Sequence, residues 1–283
     1  MSQTLGPPVY LDGPIPVAPP FSLLNTATLV PTDDERFGVG GALWPYPPGL
    51  PHAYASCSTG TFRTKADGDG WDLPIFSAVA IYLPITCSSI TAHAAGFKER
   101  AEIALAAKAS FGVARELARG GANPLNPFLT DANLTILAGG AAVTPDVGLS
   151  YLEDAIGATA QAGMIHATPA VAAAWNGSSG GYGVEQQGSN GPLRTTANKT
   201  LVAVDGGYIG ANPSLHAPAA TGQAWAFATG PVQYRKGEPF TVAESIAQSM
   251  DRAQNEVTFI AEQEFLVTWD TALQAAVLID WTP

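Results

Sequence analysis

Residues 93–121 read HAAGFKERAEIALAAKASFGVARELARGG, and this stretch decides the architecture. It holds no proline, is rich in Ala, Glu, Lys, Arg and Leu, and ends on Gly120-Gly121. A single helix from His93 to Arg119 is therefore expected. Phe97, Ala101, Ala104, Leu105, Ala107, Phe111, Ala114 and Ala118 supply its apolar face, while Glu99, Arg100, Glu102, Lys108, Arg115 and Glu116 carry the wet side. At 1.5 Å per residue such a helix spans about 40 Å. Helices of a compact domain usually run about three turns, so this one reads as the spine of an elongated body.

C-terminal to the spine, Leu149, Leu152, Ile156 and Ala160 recur at helical spacing and predict a second helix over 146–162. Met164-Ile165-His166 reads as a short strand. Thr168-Pro169 supplies an N-cap and a first helical residue for Ala170–Trp175. Residues 176–192 are rich in Gly, Ser, Asn and Gln and read as a loop. Lys199–Asp205, Ala224–Ala228 and Val232–Arg235 read as strands, the last two joined by Thr229-Gly230-Pro231. The chain closes on two longer strand patterns, Glu256–Trp269 and Ala272–Trp281.

N-terminal to the spine, residues 53–90 read as a β-excursion. Thr59–Thr64 and Leu73–Leu83 are strand-like, and Lys65–Asp72 (KADGDGWD) has the Asp-Gly chemistry of a hairpin tip. A long hairpin of this kind needs a partner surface. Before it, eleven of the 23 prolines fall within the first 51 residues. Each fixes φ and extends its predecessor, which excludes a long helix. Ile15, Val17, Phe21, Leu23 and Leu24 lie among them, so the arm must rest its apolar side chains on its own domain or on a neighbouring subunit.

Composition narrows the functions. The 283 residues are 46% hydrophobic and 13% charged, with a formal net charge of −11. That much apolar surface supports a sizeable core. The acidity speaks against a nucleic-acid-binding surface, which needs clustered Lys and Arg. About 25% charge is usual, so this surface is either rich in small polar residues or covered by other subunits. Cys57 and Cys87 form no zinc motif; they are either one disulfide or two reduced thiols. The start has no basic, apolar leader, and the longest apolar run, Ala78–Ile85, is too short to cross a bilayer.

Catalytic motifs are few. Gly177-Ser178-Ser179-Gly180-Gly181 matches G-x-S-x-G, with Asp205 and His216 following in the order of a Ser-Asp-His triad. That chemistry needs a strand running into Ser179 and a helix leaving it, whereas the segment reads as a loop after a short helix. His52, His93, His166 and His216 share no metal-ligand spacing; His166 is expected to be a satisfied, half-buried strand residue. Gly38-Val39-Gly40-Gly41 lacks a phosphate-binding Lys. Thr32-Asp33-Asp34-Glu35 lacks the spacing of a calcium loop and reads as a solvated turn.

The order of elements carries a resemblance. The proline-rich arm and hairpin excursion are followed by KERAEIALAAKASFGVARELARGG, LSYLEDAIGATAQAG, MIHATPAVAAAW, LVAVDGGYIG, AWAFATGPVQYRKGEP and DRAQNEVTFIAEQEFLVTWDTALQAAVLID. This set resembles tailed-bacteriophage major capsid proteins of the Hong Kong 97 type, whose fold encapsulin shells share. Segments 146–235 and 251–282 look most like capsid proteins of phages infecting actinobacteria. The resemblance implies an α+β fold with an extended arm at 1–52 and a β-hairpin excursion, or E-loop, at 53–90. A peripheral domain with the spine helix at 91–145, an axial domain at 146–235 and return strands at 236–283 completing the peripheral domain would follow.

The resemblance further implies a structural protein and no enzyme, without cofactor, metal or membrane. Copies would assemble as hexamers and pentamers of an icosahedral head enclosing double-stranded DNA without sequence-specific binding. Separate scaffolding, portal and decoration proteins would be partners, and the product a virion assembled in the host bacterial cytoplasm. Subunit contacts are expected at Arg63, Lys65, Asp67 and Asp69 on the excursion tip, and at Glu99, Arg100, Glu102 and Arg115 on the spine. No long charged helical segment precedes the arm, so no N-terminal scaffolding domain is expected. Lys65 is the only lysine of the excursion that could enter a cross-link. The competing expectations are a tail-tube or decoration protein, an encapsulin-like compartment, and a serine hydrolase using Ser179.

Overall fold

The computed structural model describes residues 13–31, 40–42, 74–88, 96–123, 126–177, 183–189, 191–213, 219–241, 250–251, 253 and 256–282. In chain order, the first part holds α1 (Leu23–Thr26), β1 (Thr28–Leu29), β2 (Gly41–Ala42), β3 (Ile75–Phe76), β4 (Val79–Ser88) and α2 (Phe97–Arg119). Next come β5 (Thr135–Ile136), β6 (Ala142–Val143), α3 (Pro145–Gly157), β7 (Met164–Ala167), α4 (Pro169–Asn176), β8 (Val184–Gln186), β9 (Leu193–Thr195) and β10 (Leu201–Val204). The last part holds β11 (Gln223–Thr229), β12 (Val232–Lys236), β13 (Phe240–Thr241), β14 (Met250–Asp251), β15 (Glu256–Trp269) and β16 (Gln274–Asp280).

Among the described residues the strands form two main sheets. The larger runs β5-β16-β11-β7-β10-β9-β8, with β6 also on β16. The smaller runs β1-β12-β15-β13, with β4 and β14 also on β15. Thr229-Gly230-Pro231 does not close a hairpin, because β11 and β12 belong to different sheets. β11 pairs antiparallel with β16 as far as Thr229↔Gln274, and β12 pairs antiparallel with β15 from Val232↔Trp269. Both strands of one long ribbon thus change sheet at the same level. They pass so closely that a Cβ on Gly230 would meet Asp270 Cβ at 2.8 Å. The expected boundary at 235/236 falls inside β12, and the return strands 236–283 divide, with β15 in the smaller sheet and β16 in the larger.

The spine helix α2 has 23 residues, about 34 Å at 1.5 Å each. It begins later than His93 because Gly96 takes a left-handed conformation (φ 56°, ψ 48°) that breaks the helical turn. Ala109, Val113, Ala114, Leu117 and Ala118 pack between the sheets, with Met164, Trp225 and Phe227 of the larger and Phe265 and Trp269 of the smaller. Ala101 and Leu105 lie on Ala261, Ile81 and Leu83 of the smaller sheet. Phe111 leaves the expected apolar face and is 49% exposed, its ring over the backbone of Gly206. α3 and α4 cover the opposite face of the larger sheet with Leu149, Leu152, Ile156, Val171 and Trp175.

Other expectations shift in detail. The helix expected over 146–162 ends at Gly157, and Ala160 is exposed with a positive φ of 56°. The loop expected over 176–192 contains β8, which folds back on β9. The strand expected over Leu73–Leu83 is two pieces. β3 pairs with β2, while β4 pairs with Glu256–Phe265 of β15. Thr59–Thr64 and the tip Lys65–Asp72 lie outside the described residues.

Candidate assembly surfaces

The arm docks at two places: β1 pairs with β12 of the smaller sheet, and residues 21–24 are fixed between the spine and the larger sheet. Ser22 and Leu23 have no exposed surface. Phe21 O accepts from Val204 N at 2.7 Å, and Leu24 N donates to Ser110 Oγ on α2 at 3.1 Å. Ser110 Oγ in turn donates to Asp205 Oδ2 at 2.8 Å, while Leu23 N reaches the same oxygen at 3.4 Å. Asp205 Oδ1 accepts from Gly207 N at 3.0 Å. One buried carboxylate therefore joins arm, spine and larger sheet.

Upstream of this anchor the arm stands out from the surface. Ile15 and Val17 are 73% and 85% exposed, held extended by Pro14 and Pro16. Pro14, Ile15 and Pro16 line a cleft of about 490 Å³ with Glu99, Arg100 and Ile103 of the spine. Large apolar side chains this exposed mark an interaction surface when they cluster. Ile103 is 43% exposed beside them.

Of the expected contact residues, the structure brings Glu99 and Arg100 together, both exposed at the cleft. Arg115 is exposed about 24 Å farther along the helix from Glu99. Glu102 points elsewhere: its Oε1 accepts from Thr241 Oγ1 at 2.8 Å and ties the spine to β13 of the same chain. Arg63, Lys65, Asp67 and Asp69 lie outside the described residues. A further patch escaped the sequence reading. Phe240 and Tyr82, 48% and 64% exposed, flank Glu262 in one row across β13, β15 and β4. The alternation in Glu256–Phe265 shows that one face of this strand is polar, but nothing local reveals which aromatic residues sit beside it.

Of the residues of the Ser-Asp-His motif, Asp205 is the one the structure describes. Ser179 and His216 fall outside the described residues, as do Cys57, His52, His93 and Thr32–Glu35. Asp205, the triad candidate, is occupied by the arm and spine. His166 is fully buried rather than half-buried, between Tyr208 and Thr229. A cleft of about 530 Å³ beside Trp225 and Trp281 has no charged side chain among its described lining residues. Among the described residues no three His, Cys, Asp or Glu side chains cluster for a metal, and no helix is long and apolar enough to cross a membrane.

No family model matches the sequence, and no curated protein does. Solved structures do match in fold over nearly the whole chain. The capsid of an empty GTA particle is 14% identical with a TM-score of 0.57, over 99% of this chain and 96% of that one. A structure from Mycobacterium phage Ogopogo is 14% identical with a TM-score of 0.52, over 99% and 97%. The encapsulin complex of Synechococcus elongatus PCC 7942 is 12% identical with a TM-score of 0.52, over 97% and 92%. The fold is α+β and of the Hong Kong 97 capsid type.

Proposed function

We propose that this chain is the major shell subunit of a tailed-phage head, with copies assembling as hexamers and pentamers of a closed icosahedral shell around double-stranded DNA. The observation that carries this reading is end-to-end agreement of the fold with a particle capsid, over 99% of this chain and 96% of that one. The surface supports it. A 13% charge content suits a subunit whose neighbours cover much of it, since the core of a contact is poor in charge. The arm anchored at Asp205 and exposed at Ile15 and Val17 has the form of a strap for an adjacent copy.

In this reading residues 1–52 are the arm, 53–90 the excursion, 91–145 with the smaller-sheet strands β12 and β15 the peripheral domain, and 146–231 with β16 the axial domain. Contacts between copies use Arg63, Lys65, Asp67 and Asp69 at the excursion tip and Glu99, Arg100 and Arg115 on the spine. Glu102 acts inside the subunit. Scaffolding, portal and decoration proteins are separate chains, and assembly takes place in the bacterial cytoplasm before the subunit ends in the virion. The net charge of −11 repels packaged DNA from the wall and confines it without binding.

Among the similar folds is an encapsulin, which favours a second reading, a shell around a protein cargo. Nuclease treatment of purified particles separates the two. DNA that survives nuclease and co-sediments with the protein supports the head. Particles free of DNA that carry a second protein support the compartment. A protein that stays at its 29.2 kDa monomer mass overturns both.

A further inference from the structure

His166 sits on β7 with no exposed surface. Its Nδ1 is 2.9 Å from Tyr208 Oη and its Nε2 is 2.9 Å from Thr229 Oγ1. Thr229 Oγ1 also lies 2.8 Å from the Gly230 carbonyl oxygen, which can only accept. With the single hydroxyl hydrogen of Thr229 on Gly230, the buried Tyr208 hydroxyl keeps His166 Nδ1 as its acceptor. On Nε2 instead, that hydrogen would leave the tyrosine donor without an acceptor among the described residues. Thr229 must then accept from Nε2–H, and the bare Nδ1 accepts from the Tyr208 hydroxyl. One directed chain runs from Tyr208 through His166 and Thr229 to Gly230. It starts on the 3-10 turn Gly206–Tyr208, which is pressed against the spine: a Cβ on Gly207 would meet Arg115 N and Phe111 O at 2.6 Å. It ends where the chain leaves the larger sheet for the smaller.

We propose that this chain is an acid-sensitive latch, holding the spine helix and the sheet crossover to the larger sheet while His166 is neutral and releasing them when it is protonated. A second proton on the imidazole can only enter at Nδ1, where it faces the Tyr208 hydroxyl hydrogen. Tyr208 is buried, and His166 is the hydroxyl's one hydrogen-bonding partner among the described residues. Protonation thus places a cation among Met164, Trp225 and Phe227 and orphans a buried donor.

The charged and titratable groups on the packed elements do not relieve this. β10 and β11 carry none. Asp205, at the start of the turn, is occupied by Ser110, Leu23 and Gly207. On the spine behind the turn are Arg115, Glu116 and Arg119, and Arg119 Nη2 donates to Ile209 O. Burial holds the His166 pKa down from 6.5 to about 3. The neutral form thus stabilises the closed latch fully above pH 6.5, and this contribution is lost as pH falls toward 3. If the open state restores an ordinary imidazole, each pH unit below 6.5 favours opening about ten-fold, or about a hundred-fold at pH 4.5.

The test is amide hydrogen exchange of the full chain at pH 7.5 and 4.5, corrected for intrinsic rates, on the wild type and His166→Gln. Glutamine offers a donor to Thr229 and an acceptor to Tyr208 but does not titrate. The expected result is that opening of segments 206–211 and 227–233 rises up to about a hundred-fold more in the wild type. An equal rise in both proteins overturns the latch. Should the variant not fold, ¹⁵N NMR of histidine-labelled wild type decides. His166 is expected as the Nε2–H tautomer, untitrated from pH 7.5 to 4.5; an Nδ1–H tautomer, or titration near pH 6.5, overturns the proposal.

Discussion

Ser110 Oγ donates a 2.8 Å hydrogen bond to Asp205 Oδ2, across 95 residues of sequence, and this contact fastens the spine helix to the larger sheet. It also positions the arm, since Leu24 N donates to Ser110 Oγ and Leu23 N to Asp205. A hydrogen bond to a buried carboxylate contributes about 1.5–3 kcal/mol. Ser110→Ala and Asp205→Ala should each destabilise the fold by at least about 2 kcal/mol. In a denaturant-based double-mutant cycle the two should be strongly coupled, with the double variant well short of the sum. Additive effects would mean that the hydroxyl and carboxylate act independently.

Leu23 holds the arm in the core. Deleting a fully buried leucine side chain costs about 2–5 kcal/mol, far more than a four-residue helix contributes on its own. Leu23→Ala is therefore expected to free the arm while both sheets stay folded. Limited proteolysis should cut within 21–27 in the variant and spare that stretch, around the buried Ser22, Leu23 and Thr26, in the wild type. Identical digestion patterns would place the arm's anchor elsewhere.

Two glycines should respond to alanine with opposite signs. At Gly207 a Cβ would press on Arg115 N and Phe111 O at 2.6 Å, both backbone atoms of the spine. Overpacking of this kind costs about 1–3 kcal/mol. At Gly157, the last residue of α3, no atom lies within 4 Å of an added Cβ. Gly157→Ala should stabilise by about 0.4–1 kcal/mol, through the smaller entropy of the unfolded chain. Thermal melts of both variants read the difference directly.

The elements legible in the sequence were those whose periodicity is strong and whose partners are fixed by it. Val257, Phe259, Ala261, Gln263 and Phe265 alternate inward along β15, and Thr168 caps α4 by accepting from Val171 N. The crossover was not legible. Thr229-Gly230-Pro231 has turn chemistry, and only the pairing of distant β15 and β16 shows that the chain changes sheet there. Asp205 read as a triad candidate because its role depends on Ser110 and Leu23, neither close in sequence. Phe111 keeps helical spacing yet faces Gly206, since the spine twists past a turn that sequence cannot dock. Glu102 read as surface charge until Thr241 was placed beside it.

The proposed contact surface predicts separable effects on assembly and folding. Glu99→Lys with Arg100→Glu should cut shell yield several-fold while leaving the melting curve near wild type, because both side chains are exposed. Lys65→Glu should do the same. Glu102→Ala should instead lower the melting temperature, having lost its bond to Thr241. Sucrose-gradient yield beside calorimetry distinguishes the two classes. A charge reversal at 99 and 100 that leaves yield unchanged would remove that end of the spine from the interface.

The most direct test of the account is electron microscopy of the purified full-length protein, expressed alone and together with its neighbouring genes. Closed shells, or flat rings of six and five subunits, are predicted. A uniform field of monomers under both conditions, or long tubes of stacked rings, would contradict it.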